Sequence, residues 1–308
     1  MKHTAALPLA VLLCLLTCCG RAGTVTPHVI AMKEGERTYS LFVPDSVTKK
    51  EAVPLVILYH GSGGDGASMD RMSGFSAVAE REGFILALPD AAGKNWNDGR
   101  EVIGIPSMAH QIDDVAFTDA MVAEIGALYR LDARRLYATG FSNGGIFVHL
   151  LALKSKHAFA AIAPVSGGIA EPLAEKFKPK TPLSVLILHG TDDPMVPYIG
   201  GEVDYSNNGR ILPIEDTALR WVAIDGIKGE RLSGTLPDND PADGCTITWS
   251  RWASKKGAPE VALFTIQGGG HTWPGGPQFL PVAVIGHVCR DIDASVVIWD
   301  FFKKHPRK

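Results

Sequence analysis

The 308-residue sequence predicts a single α/β domain in which helices cover both faces of a mostly parallel β-sheet. Two observations lead to this class. Short apolar segments with the pattern of strands alternate with amphipathic helical segments from residue 36 to the end of the chain. In addition, some strand segments are continuous apolar runs, such as LVILY at 55–59, which is typical of strands buried on both faces. We find no internal repeat.

The individual elements follow from the spacing of apolar residues. Alternation with a period of two predicts a half-buried strand, a short continuous apolar run predicts a buried strand, and an apolar stripe with a period of about 3.6 predicts a helix. The predicted strands are 36–43, 55–59, 84–88, 135–139, 158–165, 183–188, 246–252 and 261–266. The predicted helices are 69–82, 113–129, 145–154, 214–225 and 294–302.

Three connections between these elements are unusually long: 91–112, 226–244 and 272–291. Connections of more than about 15 residues in a compact domain usually carry function or move. The first and the third follow predicted strands, and ligands bind at the carboxyl edge of such sheets. We therefore expect segments 91–112 and 272–291 to border the functional site.

Residues 1–23 have the pattern of an export signal. Lys2 and His3 precede an apolar run at 5–16, which is too short to span a bilayer but has the length of a signal-peptide core. The sequence thus predicts a signal segment, 1–23, and one domain, 24–308, of a secreted or periplasmic protein without a transmembrane span. Two kinds of processing stay open. One is lipoprotein cleavage with a lipid anchor on Cys18 or Cys19, and the other is ordinary signal-peptidase cleavage.

Charge and cysteine content narrow the function further. Removing residues 1–23 takes away Lys2 and Arg21 but no acidic residue, which leaves 28 basic and 33 acidic residues and a net charge of −5. An acidic chain without a basic run is a poor candidate for binding nucleic acid or anionic membranes. Of the five cysteines, Cys245 and Cys289 remain, and in an oxidising compartment we expect them to form a disulfide, with two buried thiols as the alternative. No spacing typical of a metal site is present.

The most informative motif is G-x-S-x-G at 140–144 (GFSNG), between a predicted strand and a predicted helix. Small residues at both glycine positions let the chain turn so sharply that the hydroxyl of Ser142 stands clear of the backbone. A match outside this context would carry little weight. Here the strand–turn–helix context predicts a nucleophilic serine.

A serine hydroxyl needs a base to take its proton and a third group to orient that base. In one arrangement found on sheets of this kind, the nucleophile comes first along the chain, the acid second and the histidine third, and each of them follows a strand. Asp192 and Asp193 follow the predicted strand 183–188, and His271 follows 261–266 within a glycine-rich segment. Adjacent side chains point in different directions, so only one of the two aspartates can orient His271. For three other histidines we expect structural or packing roles: His60, His149 and His189.

Acyl transfer also requires donors for the tetrahedral oxyanion, usually two backbone N–H groups. One comes from the residue after the nucleophile, which is Asn143. The second comes from the loop after an earlier strand, here HGSGG at 60–64. Ser62 is the first candidate for this donor and Gly63 the next. The glycine cluster does not have the pattern of a phosphate-binding loop.

Six segments together carry a resemblance to a known family: YHGSGG at 59–64, WNDG at 96–99, GFSNGG at 140–145, HGTDDPMVPY at 189–198, GGGHTWPGG at 268–276 and RDIDAS at 290–295. They resemble secreted carboxylesterases of the polyhydroxybutyrate depolymerase-like and feruloyl esterase-like α/β-hydrolases. The resemblance implies the α/β-hydrolase fold, a Ser/Asp/His triad, an ester substrate and no cofactor. It also implies that Asp193 is the acid. Many relatives have cysteine or glycine in place of Ser62, which would not affect a backbone donor.

Three aromatic residues lie in loops expected at the site and could stack on a feruloyl ring or a sugar: Trp96, Tyr198 and Trp273. The alternative is that they only form the wall of the pocket. We therefore expect a serine carboxylic-ester hydrolase that acts on feruloyl or acetyl esters, or on short hydroxyalkanoate esters. The alternatives are a serine peptidase on the same fold and a catalytically inactive binding protein.

Overall fold

The computed structural model of the chain describes residues 23–174, 176, 178–179, 181–203, 208–254 and 257–308. The predicted signal segment therefore lies outside the described residues, except for residue 23. The same holds for Cys18 and Cys19, the candidate attachment sites of a lipid anchor.

The described residues contain strands and helices that alternate along the chain as predicted. The strands are β1 (Thr24–Met32), β2 (Gly35–Val43), β3 (Val53–Tyr59), β4 (Ile85–Pro89), β5 (Leu131–Phe141), β6 (Ala161–Val165), β7 (Ser184–Gly190), β8 (Gly201–Glu202), β9 (Arg210–Ile211), β10 (Arg231–Thr235), β11 (Thr246–Ala253) and β12 (Glu260–Gln267). The helices are α1 (Gly66–Ser73), α2 (Phe75–Glu82), α3 (Pro106–Ala109), α4 (Asp114–Leu128), α5 (Asn143–Lys154), α6 (Glu171–Ala174), α7 (Ile214–Ile224), α8 (Val282–Ile285) and α9 (Ala294–Lys304), with a 3₁₀ turn at Ala92–Lys94.

A ten-stranded sheet forms the centre of the fold, in the order β1-β2-β4-β3-β5-β6-β7-β12-β11-β10. The central strands from β4 to β12 in this order run parallel to one another. Antiparallel pairs extend the sheet at both edges. Strands β8 and β9 form a small separate sheet. The predicted fold class, a mostly parallel sheet with helices on both faces, is confirmed.

Alternating side chains of the central strands supply two hydrophobic clusters, one on each face of the sheet. Strand β3 shows the principle, because Leu55, Ile57 and Tyr59 belong to one cluster whereas Val56 and Leu58 belong to the other. Helices α4, α5 and α7 contribute to the first cluster, and α1, α2 and α9 to the second. A strand covered on both faces favours apolar residues, which explains the continuous apolar runs of the sequence.

Besides the short elements β8, β9, α3, α6 and α8, which were not predicted, two larger features of the fold differ from the prediction. The predicted helix 69–82 is two helices, α1 and α2, because Gly74 between them has a φ of 65° and interrupts the helical backbone. The edge strands β1 and β10 were not predicted. Both are largely exposed, so their sequences lack the apolar alternation from which half-buried strands are predicted.

Three buried histidines make the free energy of unfolding depend on pH. Burial lowers the pKa of His149 from 6.5 to about 3, and burial also lowers the pKa values of His60 and His189. The folded state thus favours the neutral imidazoles, and the unfolded chain binds more protons. Stability is therefore complete above about pH 6.5 and falls as the pH drops from there through the folded-state pKa values.

Between pH 6 and 4.5 the unfolded chain binds roughly one more proton at His149 than the folded protein does. We therefore expect His149 to lower the free energy of unfolding by about 1.4 kcal/mol for each pH unit of acidification in this range. The indole Nε1 of Trp221 donates a hydrogen bond to His149 Nδ1, so His149→Gln can keep an acceptor there. Urea unfolding at several pH values should give His149→Gln a correspondingly smaller slope of stability against pH. The exposed His110, replaced by Gln, is the matched control. Equal slopes for wild type and His149→Gln would contradict the assignment.

Candidate active site

Ser142 lies at the sharp turn between β5 and α5. Its backbone has φ 56° and ψ −123°, a conformation that residues with a side chain rarely adopt. The glycines on either side make the turn possible. A Cβ on Gly140 would lie 2.6 Å from the carbonyl carbon of Gly144, and one on Gly144 would lie 2.6 Å from the carbonyl oxygens of Tyr59 and His60. The turn therefore requires glycine at both positions and presents the serine hydroxyl beyond the edge of the sheet.

The structure brings Ser142, His271 and Asp193 together from three separate loops. The Oγ of Ser142 lies 2.9 Å from Nε2 of His271, and Nδ1 of His271 lies 2.8 Å from Oδ2 of Asp193. A carboxylate can only accept, so Nδ1–H is the donor to Asp193, and Nε2 is left free to accept from the serine hydroxyl. This arrangement of a nucleophile, a base and an orienting carboxylate is the one required for serine acyl transfer.

Asp193 is held in this position by its own loop. Its Oδ1 accepts hydrogen bonds from the backbone N–H groups of Met195 and Val196, at 2.9 and 2.8 Å. Burial alone would raise the pKa of Asp193, but the charge and hydrogen bond of His271 lower it below its usual value, so the carboxylate stays ionised. The neighbouring Asp192 is exposed and accepts from the hydroxyl of Thr191 instead, which orders the loop.

The glycines before His271 allow their loop to approach a neighbouring loop closely. A Cβ on Gly270 would lie 2.0 Å from the carbonyl oxygen of Ile285, so only glycine fits between the two loops. The backbone N–H of Gly270 donates to the carbonyl of His287 at 2.9 Å, and that of His271 donates to Ile285 at 2.5 Å. The ring of Phe141 packs against the imidazole with centroids 4.7 Å apart. Segment 272–291 thus fixes the imidazole.

Two histidines near the site have structural contacts, as predicted. His60 donates from Nδ1 to the carbonyl of Gly61 at 2.7 Å and accepts from the N–H of Ala91 at its Nε2, at 3.0 Å. The Nε2 of His189 donates to the carbonyl of Val196 at 2.8 Å. Both rings therefore hold loops together at the carboxyl edge of the sheet.

A cavity of about 250 Å³ opens beside Ser142. The described residues that line it are Ser62, Asn95, Arg100, Ile105, Ser142, Asn143, Met195, Val196, Val203 and Asn208. Both residues predicted to stabilise the oxyanion are among them. Asn143 is the first residue of α5, so its backbone N–H has no partner within the helix and is free to bind an anion. The predicted role of loop 91–112 is supported, because it contributes Asn95, Arg100 and Ile105.

The aromatic residues predicted to stack on the substrate are placed differently. Trp96 is 0% and Trp273 1% exposed, and their indole N–H groups donate to the carbonyl of His60 and the hydroxyl of Ser295. Their burial contradicts the stacking role, since neither ring face can meet a ligand. Tyr198 is half-buried, its hydroxyl lies 2.8 Å from that of Thr265, and it is not among the described residues that line the cavity.

Several cavity residues were not predicted from the sequence, above all Arg100. Its guanidinium pairs with the buried carboxylate of Asp98, with Nη2 2.8 Å and Nε 2.9 Å from Oδ2. The available signal was the WNDG segment at 96–99, which carries Asp98 and directly precedes Arg100. Only its tryptophan was interpreted as functional.

The predicted disulfide is not formed. Cys245 and Cys289 are buried free thiols, and their sulfur atoms lie within 4.8 Å of each other and of a carboxylate oxygen of Asp243. Hydrogen bonding to Cys289 and burial raise the pKa of the Cys245 thiol, which keeps it protonated. Both oxygens of Asp243 accept backbone N–H groups, those of Cys245 and Arg290. The structure thus agrees with the alternative, two buried thiols.

Comparison with known proteins identifies the family. A family model described as "Esterase PHB depolymerase" matches residues 37–205, which is more than half of the chain. The chain belongs to this family. Among its relatives is NocK of Nocardia uniformis subsp. tsuyamanensis, a protein named as an esterase, which is 30% identical over 287 residues that cover 90% of this chain and 82% of NocK. As a member of the Esterase PHB depolymerase family, the chain is a carboxylic-ester hydrolase.

Other relatives are matched over less of this chain. Feruloyl esterase B of Piromyces equi is 30% identical over 236 residues, and the match covers 74% of this chain but 41% of that enzyme. Among solved structures, esterase PE8 is 18% identical with a TM-score of 0.52, covering 86% of this chain and 97% of PE8. The acetyl xylan esterase from Aspergillus awamori is 16% identical with a TM-score of 0.50, covering 80% and 94%. These two structures confirm the α/β-hydrolase type of fold. In the part of the chain that the structure describes, no helix is both long and apolar enough to cross a membrane.

Proposed function

We propose that this esterase works through a Ser142–His271–Asp193 triad and a covalent acyl-enzyme. The observation that carries the proposal is the continuous chain of hydrogen bonds from Ser142 Oγ through His271 to Asp193, at the wall of the cavity. The N–H groups of Asn143 and Ser62 complete the site as oxyanion donors. No step of this mechanism requires a cofactor.

In the first half-reaction Ser142 Oγ forms a bond to the ester carbonyl carbon while its proton passes to His271 Nε2. The ionised Asp193 stabilises the imidazolium that results, and the carbonyl oxygen becomes an anion facing the two N–H groups. The tetrahedral intermediate then expels the alcohol, which takes the proton from His271. In the second half-reaction water adds to the acyl group with His271 again as base, and the acid leaves with Ser142 restored.

The role of Ser62 can be tested by removing a single N–H. Gly61 accepts from Gly64 at 3.1 Å and Gly63 has a φ of 78°, which makes Ser62 the second residue of a type II turn, where proline is favoured. Ser62→Pro should therefore keep the turn, lose the donor and lower kcat by about 10²- to 10³-fold. Ser62→Ala, which keeps the N–H, should retain at least about tenfold more activity than Ser62→Pro. Equal activities of the two variants would contradict a backbone donor at this position.

The cavity favours a small ester group. Its volume of about 250 Å³ lies below the range of about 300–1,000 Å³ that is usual for sites of larger ligands. Besides Ser142 and Asn143, its described wall combines four polar side chains with four apolar ones: Ser62, Asn95, Arg100 and Asn208, and Ile105, Met195, Val196 and Val203. Such a wall suits esters of feruloyl or acetyl type, or short hydroxyalkanoates that carry both methyl and oxygen groups. The relative named feruloyl esterase B supports the first of these classes.

A substrate panel tests the proposal. The kcat/KM of the purified protein is measured on p-nitrophenyl acetate, butyrate and octanoate and on methyl ferulate, with Ser142→Ala as the blank. We expect Ser142-dependent turnover of the acetate or of methyl ferulate and a lower value for octanoate, because the cavity is small. A kcat/KM for methyl ferulate that equals the value for the best aliphatic ester would indicate that the substrates are esters of aromatic acids. Absence of Ser142-dependent turnover on all four esters would contradict the proposal.

We also propose export as a single catalytic domain, 24–308, after cleavage within the signal segment 1–23. The apolar run at 5–16 supports this, and Cys18 or Cys19 would carry the lipid if cleavage is of the lipoprotein kind. Expression of the full chain in a bacterial host, followed by intact mass measurement, distinguishes the cases. A diacylated mass starting at Cys18 or Cys19 would show an anchor, an unmodified shorter chain would show ordinary cleavage, and an uncleaved chain would contradict export.

A further inference from the structure

One segment of the chain contacts both loops that carry the proposed oxyanion donors. This bridging segment, residues 94–100, runs beside the 60–64 loop. The N–H of Gly63 donates to the carbonyl of Lys94 at 2.8 Å, and the indole Nε1 of Trp96 donates to the carbonyl of His60 at 2.9 Å. These two contacts fix the 60–64 loop, and Ser62 lies between them in sequence.

The bridging segment also holds the side chain of Asn143, which is 1% exposed. The Oδ1 of Asn143 accepts from the N–H of Trp96 at 2.7 Å. Its Nδ2 donates to the carbonyl of Trp96 at 3.0 Å and to Oδ2 of Asp98 at 2.7 Å. The amide thus uses its oxygen and both its N–H groups within the bridging segment, and its side chain cannot rotate without losing buried hydrogen bonds.

Asp98 is the charged centre of these contacts. It is fully buried, and its charge is balanced by Arg100, whose Nη1 also donates to the carbonyl of Asn208 at 2.7 Å. A hydrogen bond to an ionised acceptor is about twice as strong as a neutral one, so the bond from Asn143 to Asp98 is the strongest of the three that hold the amide. The carboxylate does not touch the triad in the described contacts, and no step of the mechanism uses it.

We infer that Asp98 is a positioning residue that orients the backbone N–H of Asn143 for the oxyanion, an inference that rests on the proposed function. The peptide N–H and the side chain of Asn143 share one Cα, so fixing the side chain restricts the rotation of the peptide. This matters because Ser142, the residue before it, has a strained backbone that would relax if the turn were not held. An oxyanion donor contributes fully only when it lies about 2.7–3.1 Å from the developing charge.

The test is a double-mutant cycle of Asp98→Asn and Asn143→Ala, with p-nitrophenyl acetate as substrate. Asn143→Ala keeps the backbone N–H but removes every side-chain contact. We expect each single variant to lower kcat/KM by about 10- to 100-fold, a part of the loss seen when a donor is removed entirely. The double variant should be no worse than Asn143→Ala alone, because Asp98 acts through that side chain.

A second measurement separates positioning from a purely structural role. The ketone 1,1,1-trifluoroacetone accepts Ser142 Oγ at its carbonyl carbon, the serine proton passes to His271, and the ketone oxygen becomes the oxyanion. Its affinity should fall by the same factor as kcat/KM in Asp98→Asn and in Asn143→Ala. Asp119→Asn is the matched control, since Asp119 is a buried carboxylate bonded to the hydroxyl of Ser155 at 2.6 Å, and this variant should keep wild-type kcat/KM.

A structural role alone predicts a lower melting temperature with unchanged kcat/KM and unchanged ketone affinity of the folded protein, and that result would overturn the inference. Additive losses in the double variant would also overturn it. If Asp98→Asn does not fold, Asn143→Ala decides the matter: a parallel loss of kcat/KM and ketone affinity supports the inference, and unchanged values overturn it. The rates of wild type and Ser142→Ala are measured first, so that a failure of the proposed function itself is distinguished from a failure of this inference.

Discussion

Replacing Ser142 by alanine is expected to lower kcat for ester hydrolysis by about 10⁴- to 10⁶-fold. The hydroxyl of Ser142 lies 2.9 Å from the His271 base and lines the cavity, so its loss removes the covalent route. The residual rate reflects oxyanion stabilisation and substrate binding alone. The measurement is kcat on p-nitrophenyl acetate for wild type and variant, purified separately to exclude carried-over enzyme.

Ser166 provides a matched control for this variant. It is buried, follows β6 at the same edge of the sheet, and has a φ of 49°, close to that of Ser142. Ser166→Ala therefore removes a hydroxyl from a similarly strained position outside the triad, and we expect kcat to stay within about threefold of wild type, as for a substitution away from the chemistry. Comparable activity of Ser142→Ala and Ser166→Ala would contradict Ser142 as the nucleophile.

Asp193→Asn has the second largest expected effect, a decrease in kcat of about 10⁴-fold. An amide can donate to Nδ1 of His271, which places the imidazole proton on Nε2 and leaves no acceptor for the serine hydroxyl. The variant also lacks the negative charge that stabilises the imidazolium. Although burial opposes it, the charge and hydrogen bond of His271 keep the pKa of Asp193 below its usual value, so the wild-type carboxylate stays ionised into the acidic range.

Asp192→Asn is the control for this prediction. Asp192 is exposed and its carboxylate is bonded to Thr191, so its replacement should change kcat by less than about threefold. Stopped or continuous assays of both variants on the same ester, with melting temperatures measured in parallel, give the comparison. A larger loss in Asp192→Asn than in Asp193→Asn would show that the acid has been assigned to the wrong residue.

The sequence predicted the central part of the fold because buried strands leave a strong local signal. The run at 55–59 lies within β3 and the run at 183–188 overlaps β7 from residue 184, and both strands are buried along their whole length. The break at Gly74 was not foreseen, because an apolar stripe in the sequence can continue across the end of one helix and the start of the next. The edge strands β1 and β10 depend on pairing with a neighbour rather than on burial, and pairing leaves little trace in composition.

The site was predictable where local backbone geometry dictates the residues. The glycines around Ser142 and before His271 are required by contacts below 3 Å, so the motifs and the geometry agree. The stacking role predicted for Trp96 and Trp273 was wrong because burial depends on tertiary packing. The sequence around an aromatic loop residue does not show whether its side chain faces a ligand or the core. The position of Arg100 at the cavity was not predicted for a related reason. In the sequence, Asp98 and Arg100 have the pattern of charged residues in an exposed loop.

Identification of the acyl-enzyme tests directly whether Ser142 is the nucleophile. The protein is quenched in acid during turnover of p-nitrophenyl acetate, digested and examined by mass spectrometry. We expect an acetyl group on Ser142 in the wild type and none on residue 142 in Ser142→Ala. Turnover at the wild-type rate with acetyl on a different residue, or persistent turnover by Ser142→Ala, would contradict this role of Ser142.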